Sequence, residues 1–208
     1  MAPASPLASA RDAEQFLAEL RAEFPRFKLL YKRTSAVSHV LHVALLVVTL
    51  GGQREFISGY YTVLGDTLYV PDLWDGLGSA DRVILLRHER VHLRQRRRYG
   101  FLGMALLYLL PFFPLGLAYG RARIEWEAYT ETLRATAELL GLDAARDPRL
   151  RERIVSRFTG PAYGWMWPFR AQVERWYSAA LEQIAAEFGG AAETQRSQRP
   201  GAVESHDR

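Results

Sequence analysis

The chain has 208 residues, enough for one domain with terminal extensions, and its 49% hydrophobic and 24% charged content is ordinary for a globular protein. It contains no cysteine, which excludes a disulfide framework, thiolate metal ligation and a cysteine nucleophile, so any metal must be held by histidine and carboxylate. A net charge of +4 permits contact with nucleic acid or an anionic membrane without requiring it; of 27 basic residues only Lys28 and Lys32 are lysine.

Residues 1–9 are rich in Ala, Ser and Pro and lack both basic residues and a long apolar run. They read as a flexible end rather than a secretory signal, and a cytoplasmic location is expected. Phe16, Leu17, Leu20 and Phe24 recur at helical spacing and predict a helix over 10–24, stopped by Pro25. A short strand is expected at 27–31. The stretch 36–50 is apolar apart from Ser38, His39, His42 and Thr49, and periodicity does not separate a buried helix from a strand there. Aromatic and β-branched residues at 56–64 and 67–70, around Gly65-Asp66, predict a β-hairpin. Ser79 suits the N-cap of a helix over 80–98. Further helices are predicted at 121–140, 148–158 and 169–187. Residues 189–208 hold almost no large apolar side chains and read as a disordered tail, leaving 10–188 as a single domain.

The helix over 80–98 carries the chemistry. His88-Glu89-Arg90-Val91-His92 is an H-E-x-x-H motif, and histidines at i and i+4 lie on one helical face, so both imidazoles can reach one ion. With five histidines in the chain, chance placement predicts on the order of 0.01 such motifs. Glu89 is offset around the helix and stands beside the ion, placed as general base toward a metal-activated water. A catalytic zinc needs a third protein ligand. In the helix over 121–140, Glu127, Glu131, Arg134 and Glu138 share one arc, the expected solvated face. Glu125 falls among Ile124, Ala128, Tyr129, Thr132, Leu139 and Leu140, on the side expected to be buried. A buried carboxylate demands a cationic partner, so Glu125 is the preferred third ligand and Glu127 its rival.

These two segments resemble the gluzincin metallopeptidases, in which a second helix contributes a zinc-binding Glu after the H-E-x-x-H helix. His88 to His92 with Gln95 is similar to the H-E-x-x-H-x-x-Q of uncharacterised bacterial metallopeptidases, and Glu125-Trp126-Glu127-Ala128-Tyr129 resembles their ligand segment. The resemblance implies Zn2+, the ligands His88, His92 and Glu125, hydrolysis of a peptide or protein substrate, and an α+β fold. That fold is mainly helical and zincin-like, with a small antiparallel sheet or hairpin ahead of the H-E-x-x-H helix. Tyr129 departs from the pattern: many members carry there an Asp that supports a zinc histidine, a task left to Glu131 or a residue elsewhere. A thermolysin-like alignment reads Glu127 as ligand and Glu131 as its acidic support. The hairpin at 56–70 offers an edge strand for an extended peptide, and Tyr163, in an aromatic loop, is a candidate stabiliser of the transition state.

Residues 101–120 carry no charged side chain and follow Arg94, Arg96, Arg97 and Arg98. A single membrane crossing is excluded if His92 and Glu125 share an ion, since it separates them across the bilayer. The segment is therefore a core hairpin, a re-entrant loop or a peripheral membrane contact. The alternative function is a non-enzymatic domain that binds a membrane surface or nucleic acid through the Arg-rich helix and the apolar segment 101–120, nucleic acid being the less expected partner.

Overall fold

The computed structural model describes residues 6–34, 61–109, 118–160 and 166–197. Over these residues the protein is mainly helical, in the order α1 (Pro6–Glu23), β1 (Lys28–Tyr31), β2 (Thr62–Leu64), β3 (Thr67–Val70), α2 (Ser79–Leu109), α3 (Tyr119–Leu140), α4 (Leu142–Ala145), α5 (Pro148–Thr159) and α6 (Arg170–Ser197). Short 3-10 turns at Lys32–Thr34 and Asp72–Gly76 follow β1 and β3. The expectations for 36–50 with His39 and His42, for the first part of the hairpin, for 110–117 and for Tyr163 fall outside the described residues.

The sheet has the order β1-β3-β2 and is mixed, which corrects the expected antiparallel arrangement. β2 and β3 do form an antiparallel hairpin, turned at Gly65 with φ 66°, a backbone conformation glycine adopts without steric cost. β1 pairs parallel to the other edge of β3, with Lys28↔Thr67 through Tyr31↔Val70 in register. Alternating hydrophobicity specifies which face of a strand is buried and is silent on the direction of its neighbour.

Two hydrophobic clusters organise the chain. Leu17 and Leu20 of α1 and Phe24 just after it pack with Leu68 and Val70 of the sheet and with Leu86 and Leu93 of α2. Trp126 and Leu133 of α3, Ile154 and Phe158 of α5, and Val173 and Tyr177 of α6 form the second. α5 begins as its sequence dictates: Asp147 accepts from the backbone N–H of Arg149 at 2.8 Å and Pro148 occupies the first turn. Ser79 does not cap α2 in this way; its Oγ is buried without a hydrogen-bond partner among the described residues. α1 starts at Pro6 and α6 continues to Ser197, both beyond the predicted limits.

α1 is fastened to α2 by Glu23. Its carboxylate accepts from Arg90 Nε at 2.6 Å and Arg94 Nε at 2.7 Å, while its backbone carbonyl accepts from Arg97 Nη2 at 2.6 Å. Hydrogen bonds from these arginines, Arg94 foremost, hold the Glu23 carboxyl below its ordinary range. α2 is broken at Gly100, where φ 70° and ψ 176° interrupt the helix between the metal-motif half and an apolar half. The charge-free run after this break is not uniformly buried: Phe101 is 71% exposed and Leu102 80%.

Candidate metal centre

The centre forms where α2 and α3 pack together, at the seam between the two clusters. His88 and His92 stand one turn apart on the face of α2 that meets α3, with their ring centroids 5.0 Å apart. His92 Nε2 lies 3.3 Å from His88 Nε2 and 3.7 Å from Glu125 Oε2. Ligand atoms of the three residues all lie within 4.8 Å of one another. A tetrahedral zinc with bonds of about 2.0–2.1 Å separates its ligand atoms by about 3.3 Å; the two imidazole nitrogens stand at that separation and the Glu125 oxygen somewhat wider, at 3.7 Å from His92.

The hydrogen bonds behind each ring fix which nitrogen faces inward. Thr132 donates its hydroxyl proton to the Ala128 carbonyl at 3.2 Å, so its oxygen is available to accept from His88 Nδ1 at 3.0 Å. Gln95, buried at 4% exposure, directs its amide N–H groups to the Ile124 carbonyl at 3.0 Å and to Glu127 Oε2 at 2.8 Å. Its carbonyl oxygen then accepts from His92 Nδ1 at 2.9 Å. Both imidazoles are thereby set as Nδ1–H tautomers with Nε2 lone pairs turned toward Glu125. A proton is a poor occupant of this space, because burial and the adjacent His92 hold the His88 pKa well below its ordinary value. Two lone pairs and a carboxylate converging in this way fit a divalent cation.

Gln95 and Thr132 therefore perform the supporting task that the sequence left to Glu131 or elsewhere. Glu131 is engaged differently, accepting from Arg87 Nε at 2.6 Å; Glu138 pairs with the same guanidinium. The arc expected to be solvated is thus partly covered by Arg87 of α2, which ties α2 and α3 together. Glu127, the rival ligand, is exposed and reaches the centre only through Gln95. Tyr129, in the position of the departure, sets its ring edge-on to His88 with centroids 4.9 Å apart and contacts Phe158 of the second cluster. Gln95→Leu is expected to remove the orienting acceptor from His92 and weaken zinc affinity by about 10–100-fold, measured by competition against a chromophoric chelator.

Glu89 is 7% exposed on the same helix. Burial pushes its carboxyl up to about 7, with Glu125 raising it further and His92 and Lys32 opposing. Lys32 is the residue sequence reasoning missed. It is 1% exposed in the turn after β1, donates from Nζ to Thr62 Oγ1 at 3.0 Å and feels the Glu89 carboxylate. Burial lowers its pKa to about 8. Its only sequence signal is compositional, a lysine kept in a chain that otherwise places arginine; a buried lysine sheds its proton more readily than a guanidinium. Candidate base, ammonium group and three ligands thus come from β1's following turn, α2 and α3. No protein-family model matches the chain, and no curated protein or solved structure is significantly similar to it.

Proposed function

We propose that the protein is a zinc-dependent peptide hydrolase with His88, His92 and Glu125 as metal ligands and Glu89 as general base. The observation that carries this reading is the convergence of two oriented Nε2 lone pairs and a buried carboxylate beside a second buried carboxylate whose pKa is about 7. Zinc held there supplies a Lewis acid that acidifies water and polarises a carbonyl. Glu89 accepts the proton of the attacking water and delivers it to the departing amine, a shuttle best performed by a group that titrates near neutral pH. Gln95 and Thr132 keep the histidine rings in register through both transfers. Among the described residues β2 is an edge strand of the sheet, along which an extended peptide can align.

The second reading, a domain that only binds membrane or nucleic acid, gives no reason for two carboxylates, Glu89 and Glu125, to be buried against two histidines. The test is metal content and activity together. Purified full-length protein should contain about one zinc per chain by elemental analysis, as the three-ligand site implies. It should cleave an unstructured protein such as casein, lose that activity on chelation and regain it with added zinc. Absence of both stoichiometric metal and zinc-restored cleavage overturns the proposal.

A further inference from the structure

The half of α2 beyond the Gly100 break carries a second feature that the metal centre does not use. Phe101 is 71%, Leu102 80% and Leu106 58% exposed, with Tyr99 37% exposed on the other side of the break. Leu102 and Leu106 are one turn apart and share a helical face. Isolated exposed apolar residues are ordinary, but a grouped set beside a basic edge requires a covering phase.

That basic edge is built from Arg26, Arg97 and Arg98. The nearby acids are engaged by other arginines: Glu23 by Arg90 and Arg94, Asp66 by Arg96. Arg26, Arg97 and Arg98 make no ion pair among the described residues. Arg97 lies over the Phe24 ring, 4.4 Å from its centroid, and Arg98 over Tyr99 at 5.3 Å, so aromatic faces hold both guanidiniums in place. A cavity of about 440 Å³ adjoins this edge, lined by Phe24, Arg26, Arg97 and Phe101 together with the paired Asp66 and Arg96.

We propose that the surface around the Gly100 break is a docking surface for an anionic lipid membrane, with Phe101, Leu102 and Leu106 entering the interface and Arg26, Arg97 and Arg98 taking lipid phosphates. Interfacial binding by an apolar group rimmed with guanidiniums has the required chemistry: the acyl boundary accepts the side chains and the phosphates accept paired N–H donors. Nucleic acid satisfies the guanidiniums but leaves Leu102 and Leu106 in water. Among the described residues no helix is long and apolar enough to cross a bilayer, and α2 and α3 bring His92 and Glu125 together on either side of the apolar segment, which places the contact on a surface rather than through it. The proposal does not rest on the hydrolase reading, and vesicle binding is read out independently of zinc or cleavage.

The full-length protein is mixed with vesicles of phosphatidylcholine containing about one quarter phosphatidylglycerol, or of phosphatidylcholine alone, and separated by flotation. Binding to the anionic vesicles that falls as salt is raised is expected, with little binding to the neutral ones. Each of Arg97→Ala and Arg98→Ala should lower partitioning about fivefold. The pair Leu102→Asp and Leu106→Asp, both at exposed positions, should lower it more than about tenfold while the circular dichroism spectrum and zinc content are unchanged. Failure of the wild type to float with anionic vesicles overturns the proposal. So does binding that is unaffected by both the Arg and the Leu variants, or binding to duplex DNA that the Leu pair leaves intact while vesicles are not bound.

Discussion

Glu89→Gln is expected to leave zinc bound at one per chain and to lower peptide hydrolysis by about 10²–10⁴-fold, the loss associated with removing a positioned general base. Glutamine keeps the size of the side chain and cannot take a proton, so the effect isolates proton transfer from packing. Full activity with metal retained would falsify the assignment of Glu89. The same variant has a signature in the metal-free protein. Folded Glu89 holds its proton up to about pH 7, whereas an unburied glutamic acid releases it near 4.5, so between these values the folded state binds more protons. Stability from this group is fully present below pH 4.5 and is lost as pH rises to about 7. Glutamine is neutral throughout. After chelation the variant should therefore match the wild type in melting temperature near pH 4.5 and exceed it above pH 7. An unchanging difference across that window argues against a buried, protonated Glu89.

The second large effect separates Glu125 from Glu127. Glu125→Ala should abolish stoichiometric zinc, because it removes one of three ligands and leaves two neutral imidazoles to hold a divalent ion. Glu127→Ala should retain zinc with at most the 10–100-fold weakening typical of outer partners, since Glu127 touches the centre only through the Gln95 amide. The expected loss for Glu125→Ala is larger than that range. Retention of zinc in Glu125→Ala together with its loss in Glu127→Ala reverses the assignment and favours the thermolysin-like alignment. Arg87 should keep both variants folded, as its pairs with Glu131 and Glu138 join α2 to α3 without the metal.

The parts of this centre that the sequence made legible are those governed by helical periodicity. His88 and His92 lie at i and i+4, and Glu125 falls on the buried arc of its own helix; both facts need only the 3.6-residue repeat. α5 was equally legible, since Asp147 and Pro148 act on the turn they start. What periodicity does not carry is the partner across space. Thr132 behind His88 and Lys32 beside Glu89 belong to elements distant in sequence from the residues they touch. Arg87 reaches across to an arc that a single helix wheel assigns to solvent. The parallel pairing of β1 is another long-range choice. The break at Gly100 falls between the predicted helix end at 98 and the apolar run that starts at 101; what the sequence did not show is that the first part of that run continues as helix to Leu109.

The fastening of α1 through Glu23 has a consequence for the order in which the chain assembles. Glu23 meets its three arginines across sequence separations of 67, 71 and 74 residues, whereas Gln95 meets Ile124 and Glu127 across 29 and 32. The entropic difference between these loops is only about 0.8 kcal/mol, so it biases the sequence of events without imposing it. Synthesis imposes more. α1 leaves the ribosome before α2, and Leu17, Leu20 and the adjoining Phe24 have no α2 to cover them until the chain has grown past Arg97. During that interval the N-terminal helix exposes its apolar stripe, an aggregation-prone stage that is over before Glu125 has been made.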